Sequence, residues 1–427
     1  MNHATSSSER LTWQAQARRN LDEALARLIA SNDPAQGAGI KNLVVRLEIP
    51  AVGFVYEKSL GRANANSDAP MTPQHQYHLA SVAKTMTATL ILQLEEEGAL
   101  GERGIDTPLA EFGVFDDAIV ERLHVMKGIS YGRQIKVRHL LAHTSGIKDA
   151  VIDDATGTAA DFGGPAPGSY GARFRNGIPA HLACLQDPSC DLASLVTSKD
   201  WTMWDPSHPD DREAGVINWF LASGTAAAPL HQPGAAFHYS DTAYVILGLL
   251  AEKLTGQDLH KQWRRRIFDP LGMEHSYLAY AKDPEPSPWI HNVSDFYFGD
   301  IPGVTSRLNI SFDRGGGGIV SSVGDVNRFL RALINGELFR RSETLIKMTQ
   351  WRFVQGIKAP RVGVGLGIFA EGTGHGTIAL GHSGAYGAKM YYEPETGIFF
   401  SGTVNQRTGV VYYWWTEMLK AIHDAQP

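Results

Sequence analysis

One stretch constrains the fold of this chain more than any other. HLASVAKTMTATLILQLEEEGAL, residues 78–100, carries almost no charge from Val82 to Leu94. Ala83, Met86, Leu90, Ile91 and Leu94 recur at helical spacing on one face. The remaining faces carry Thr85, Thr87, Ala88, Thr89 and Leu92, so none is built for water. Glu95 to Glu97 form an acidic last turn, and Gly98 supplies the stop. The spacing predicts a helix enclosed on most sides, which requires other elements to pack all round it. Lys84 is the only cation in this run, and lysine is rarely buried without a partner. Ser81 lies one helical turn earlier, on the same face.

Length and composition leave room for such an interior. The chain has 427 residues, 43% of them hydrophobic and 20% charged, enough for one large or two moderate globular domains. Its net charge of −6, with no run rich in lysine or arginine, argues against a nucleic-acid partner. Arg264-Arg265-Arg266 reads as a solvated helix face. No apolar run reaches membrane-spanning length, so no membrane partner is expected. The start, MNHATSSSERLTW, lacks a basic segment followed by an apolar core, and the expected location is cytoplasmic. On that expectation Cys184 and Cys190 are read as reduced structural thiols, with a small loop disulfide as the alternative.

Strand signals gather near both ends. NLVVRLEIP (42–50) and GFVYEKSLG (53–61) read as a hairpin, and AKMYYEPETGIFFSGTV (388–404) as another. Helical patterns occupy 10–31, 100–145, 243–256, 325–336 and 410–425. The expected class is α/β (α+β): an antiparallel sheet flanked by N- and C-terminal helices, plus a mostly helical second domain. The expected boundaries are 10–75 and 311–427 for a discontinuous sheet domain and 76–310 for the helical one, with the active site between them. The helical part includes an aromatic-rich insertion at 148–232, too long for a plain connection.

Three short stretches carry chemistry. In Ser81-Val82-Ala83-Lys84, a hydroxyl sits one turn from an amine. Burial disfavours a lysine's charged form, and a neutral amine can take a serine's proton. The helix N-terminus favours the negative charge that then develops. The bland alternative is an N-cap serine beside a snorkelling lysine. Tyr239, in the turn FHYSD before a helix, could present its phenol to a cleft, with an acidity raised by a nearby ammonium. An isolated tyrosine is more often a core residue with a satisfied hydroxyl. Gly381 to Gly387, GHSGAYG, would let backbone approach a ligand, and the N–H after Gly384 could serve as an oxyanion donor. Alone, it reads as a glycine-rich turn.

Taken together, these stretches resemble the serine β-lactamase-like family: class C β-lactamases, serine D-peptidases and family VIII-type esterases. VRHLLAHTSGI, IFDPLGMEHSYL, GGGGIVSSVGDVNRFLRALING and YYEPETGIFF add blocks in the family's order, across most of residues 75–410. The resemblance implies a β-lactamase/transpeptidase-like fold, related to penicillin-binding proteins, and an acyl-enzyme on Ser81. It also implies proton handling by Lys84 and Tyr239 and an oxyanion hole from the N–H groups of Ser81 and Ala385. His382-Ser383-Gly384 would line the substrate, and neither metal nor organic cofactor would be used.

Two positions depart from that family. Its second motif usually ends in asparagine where this chain has Asp241, which can only accept hydrogen bonds when ionised. Asp241 could pair with Lys84, raising its pKa against the effect of burial, and would repel a substrate carboxylate. His382 stands where the family often has lysine. Both departures favour an uncharged ester over a β-lactam, so the expected activity is carboxylic-ester hydrolysis. The alternatives are D-peptidase or amidase, β-lactamase and acyltransferase activity. A non-enzymatic scaffold fits poorly with four intact site residues. Aromatics of the insertion and of 284–301, among them Phe162, Trp204, Trp289 and Phe296, read either as a satellite core or as a cap that would bind a bulky aromatic ester or lactone. A decoy remains in Gly128-Ile129-Ser130-Tyr131-Gly132, which matches G-x-S-x-G but lacks the flanking strand and helix of a nucleophile elbow.

Overall fold

The computed structural model describes residues 7–30, 39–159, 164–201, 204–280, 292–353, 361–406 and 413–425. Phe162 and Trp289 lie outside them. Both terminal hairpins form and join one seven-stranded sheet. Its strands are β1 (Asn42–Ile49), β2 (Phe54–Gly61), β3 (Arg361–Val364), β4 (Phe369–Gly372), β5 (Ile378–Ser383), β6 (Lys389–Glu393) and β7 (Ile398–Thr403). They lie in the order β3-β4-β5-β6-β7-β1-β2, every pair antiparallel. β1 pairs with β7, Val44 opposite Thr403 and Leu47 opposite Phe400, so the two ends of the chain close the sheet.

The longer helices among the described residues are α1 (Ser7–Ala30), α2 (Ala83–Glu96), α3 (Tyr170–Cys184), α4 (Asp241–Thr255), α5 (Val323–Ile334) and α6 (Trp414–His423). Side chains alternate across a strand, so the sheet serves two cores. Val45 and Leu47 pack with Leu21 and Leu25 of α1 and with Trp415 and Met418 of α6. Val44 faces the other way, into a second core shared with α2, α4 and α5. The expected antiparallel sheet, with terminal helices on one face and helical elements on the other, is the architecture found. No helix among the described residues is long and apolar enough to cross a membrane.

α2 is enclosed as its composition predicts, with Lys84 and the three threonines fully buried. The threonine hydroxyls are satisfied inside the protein: Thr85 donates to the Gly367 carbonyl at 2.7 Å and Thr89 to the Thr85 carbonyl at 2.9 Å. A β-carbon at Gly315 would lie 2.5 Å from the Tyr244 carbonyl oxygen, so a glycine there lets α4 close against the turn Arg314–Gly317.

Two expectations change and one is met. Residues 100–145 hold only short helices, Asp117–Arg122 and Val137–Leu141, among 3-10 turns, because Gly101, Gly104, Pro108 and Gly113 interrupt the pattern. The insertion supplies the satellite core that its aromatics offered as one reading: Tyr170, Trp201 and Phe220 are fully buried. Cys184 and Cys190 form a disulfide at the C-terminal end of α3 and the following turn, their Cα atoms 5.3 Å apart. The reduced-thiol reading rested on the presumed compartment, whereas the turn after α3 brings the two sulfurs together. Disulfides persist in oxidising surroundings, so this bridge pulls against the cytoplasmic expectation.

Candidate active site

Ser81 sits in the 3-10 turn Ala80–Val82 that leads into α2. Ala80 has φ +45°, a conformation costly for a residue with a β-carbon. The turn is anchored by the Leu79 N–H, which donates to the Ile319 carbonyl at 2.9 Å. Across from it, β4 ends at Phe369 opposite Gly381. His382, Ser383 and Gly384 therefore run on without a strand neighbour on that side. A β-carbon at Gly384 would lie 2.3 Å from the Leu79 carbonyl oxygen, so glycine permits this strand end to press against the serine turn. That contact places the next residue, the exposed Ala385, near the serine turn.

Lys84 Nζ donates to Ser81 Oγ at 3.1 Å and to the Gly316 carbonyl at 2.7 Å. It also forms a hydrogen-bonded ion pair with Asp241. Burial is the largest single influence and pulls the lysine pKa down, but the groups around the amine, Asp241 first, together outweigh it, and the Lys84 pKa lies well above its ordinary value. The expectation of a lysine neutralised by burial is thus overturned: the pairing with Asp241 prevails, and the resting amine is a cation.

The Tyr239 ring stacks on His143, centroids 4.3 Å apart, with Lys84 Nζ 5.1 Å from the tyrosine centroid. Its hydroxyl is buried and faces the Ser81 and Lys84 side chains. Burial raises the phenol's pKa, the Lys84 ammonium offsets this in part, and the Asp241 charge adds to it. The expected fall in Tyr239 pKa therefore does not occur: burial outweighs the ammonium, and the group rests as a neutral phenol.

His382 lies fully buried between Phe369 and Tyr239, 4.9 and 6.1 Å away by ring centroids. Its Nδ1 lies 2.8 Å from the Ser383 carbonyl, which can only accept, so Nδ1 carries the proton. Burial pushes the imidazole well below its ordinary range, leaving it neutral with Nε2 unpartnered. The Ser383 hydroxyl turns to the opposite face of the sheet. There it meets Lys389 Nζ at 2.9 Å and Tyr391 at 2.6 Å, and Tyr391 donates to Glu371 at 2.8 Å. The Ser383 side chain thus points away from His382 and Tyr239. Trp204 packs edge-on against Phe115, centroids 5.3 Å apart. Phe296 is fully buried and packs at 4.3 Å on Tyr386, the neighbour of Ala385, so it supports the strand end from behind.

Several residues at this site gave no separate signal in sequence. His143 lies in the AHTSG turn, has φ +53°, and accepts the Ser240 N–H at Nδ1. Asp149 accepts the Asp241 N–H at 2.8 Å and so holds the start of α4. Asp313, half-buried, lies near Lys84 with its Oδ1 out of reach of solvent. Lys389, on the reverse face, is pushed down to about 7, by burial first and by Arg361 against the pull of Glu371.

Lys389 makes a stability prediction. Its folded pKa lies below that of an unfolded lysine, so between about pH 7 and pH 10 the unfolded chain binds the extra proton. Stability should rise with pH across that window, by at most about 1.4 kcal/mol per pH unit from this group. It should be lost as pH falls through about 7. Urea midpoints measured across the window should lose this slope in Lys389→Met, and an unchanged slope would refute the assignment.

With this geometry in place, a β-lactamase family model matches residues 53–421. The chain belongs to the β-lactamase family. Penicillin-binding protein 4* of Bacillus subtilis is 22% identical over 303 residues, covering 68% of this family member and 51% of that protein. The chain spans about half the length of that relative. Among solved structures, the D-amino acid amidase of Ochrobactrum anthropi aligns with TM-score 0.66 and 20% identity, covering 97% of this chain and 99% of that one. EstCE1, described as a hydrolase with promiscuous acyltransferase activity, aligns with TM-score 0.64 and 20% identity over 95% and 99% of the two chains. At such identities these likenesses establish the β-lactamase fold.

Proposed function

We propose that this β-lactamase family member is a serine hydrolase that cleaves carboxylic esters through an acyl-enzyme on Ser81. The observation that carries the reading is the Lys84 amine, buried, 3.1 Å from Ser81 Oγ and paired with Asp241. Because the resting amine is charged, it accepts a proton only while releasing one. As Ser81 Oγ bonds to the acyl carbon, its proton moves to Lys84 and a Lys84 proton moves to Asp241. The backbone N–H groups of Ser81 and Ala385 hold the oxyanion. The proton then returns through Lys84 and Tyr239 to the leaving alkoxide. Water enters by the same route reversed and frees the acid.

Charge supports esters over β-lactams. Asp241 repels a substrate carboxylate, and the neutral His382 offers none of the attraction of a lysine. Asp241 also cannot donate to a substrate amide carbonyl as asparagine would. A second reading, hydrolysis of D-amino acid amides, is favoured by the match to the Ochrobactrum amidase over nearly the whole chain. Turnover of p-nitrophenyl esters, a D-alanyl anilide and nitrocefin should separate them. We expect kcat/KM for the esters at least about 100-fold above that for nitrocefin, a difference of roughly 3 kcal/mol in barrier. Faster nitrocefin or anilide turnover would reject the ester reading.

A further inference from the structure

Asp313 is the one carboxyl beside Lys84 that the mechanism above leaves unused. It precedes the run Gly315-Gly316-Gly317-Gly318. Two of those glycines make room for it. A β-carbon at Gly316 would lie 2.1 Å from Asp313 Oδ1 and 3.2 Å from Lys84 Nζ, and one at Gly317 would lie 2.0 Å from Asp313 Oδ2. Two adjacent positions without side chains therefore form a slot that admits this carboxyl on the side of the amine. Asp313 Oδ1 is buried with no hydrogen-bond partner among the described residues. The next residue, Arg314, has φ +22°, and its side chain is tied down by an ion pair with Glu252 of α4. An uncommon backbone conformation at the mouth of a buried carboxyl points to a functional constraint.

We propose that Asp313 is a further positioning residue of the acyl-transfer reaction, acting through Lys84: with Asp241 it forms a clamp of two carboxyls flanking the amine. This rests on the acyl-enzyme reading above. Burial, and then the charge of Asp241, push Asp313 well above the ordinary carboxylate range, against the pull of Lys84. At rest the Lys84 ammonium thus faces one negative charge. When Ser81 attacks, the Oγ–H bond breaks and the proton passes to Nζ, as Nζ releases one to Asp241. When Asp313 ionises at higher pH, Lys84 faces two anions and holds its protons too tightly to exchange them, so acylation slows. The other titratable groups facing the amine are accounted for. Tyr239, from the turn before α4, and Tyr244, on α4, both rest as neutral phenols. His143, after Val137–Leu141, and His382, on β5, are held neutral by burial. Asp149, behind Asp241, is itself pushed up by burial.

The test is the pH dependence of Ser81 labelling by a fluorophosphonate probe, with the labelled peptide identified by mass spectrometry. Wild type should show an alkaline limb in the labelling rate. Asp313→Asn, the neutral mimic, should move that limb up by at least about one pH unit, a tenfold change at fixed pH on the limb. Should that variant not fold, Gly316→Ala crowds the same carboxyl without removing it, and the limb should move by a comparable amount. A limb that superimposes on wild type in a folded variant overturns the clamp. Absence of labelling at Ser81 in wild type overturns the acyl-enzyme reading instead, whatever Asp313 does.

Discussion

Lys84→Met should cost the protein both its activity and a large part of its stability. The amine is fully buried, and among the described residues it is the cation paired with the Asp241 carboxylate. Removing one partner of a buried ion pair leaves the other charge uncompensated, at a cost of roughly 3–5 kcal/mol. Methionine fills much of the volume, so lost packing contributes little. Adding Asp241→Asn should recover most of that loss, because the buried charge disappears along with its partner. Activity should not return, since no group is left to relay the Ser81 proton. Urea unfolding of the two single variants and the double variant, with ester turnover on each, checks both halves. If Lys84→Met alone unfolds at the wild-type midpoint, the ion pair is not the buried, uncompensated contact described here.

Ser81→Ala should do the opposite, removing activity while leaving the fold intact. Ser81 is only half-buried, and Lys84 keeps its bonds to Asp241 and to the Gly316 carbonyl without it. Loss of a nucleophile in a serine hydrolase lowers kcat by roughly 10³-fold or more, because no acyl-enzyme can form. The burst of p-nitrophenol in the first turnover should vanish with it. Ser130→Ala is the matched control. Ser130 lies in the two-residue strand Ile129–Ser130, paired with Val125–Met126, and its hydroxyl accepts the Gly132 N–H at 3.3 Å. That is a hairpin, with no helix launched from it, so its loss should leave turnover unchanged. An active Ser81→Ala with a dead Ser130→Ala would reverse the assignment.

Much of this was legible in sequence because it is local. Helix α2 could be read residue by residue, since periodicity and the Gly98 stop are properties of adjacent positions. Both hairpins could be read from alternation and their turns. Ser81 and Lys84 share a face because they are one turn apart where the 3-10 turn runs into α2. The charge of Lys84 was not legible in this way. Sequence offered two opposed influences, burial and Asp241, and only the distance between residues 84 and 241 ranks them. The same holds for Ser383, whose hydroxyl faces away from the cleft because strand alternation puts His382 on the cleft side.

Sequence by itself determined the elements and the chemical kinds of group available: a hydroxyl, an amine, a phenol and a glycine-rich strand end. Tertiary structure alone decided their protonation. Electrostatic energy depends on how deeply a charge is buried and which charges lie within a few ångströms, and both are set by segments far apart in the chain. Asp241 reaches Lys84 from α4, and two glycines leave room for Asp313 on the amine's other side.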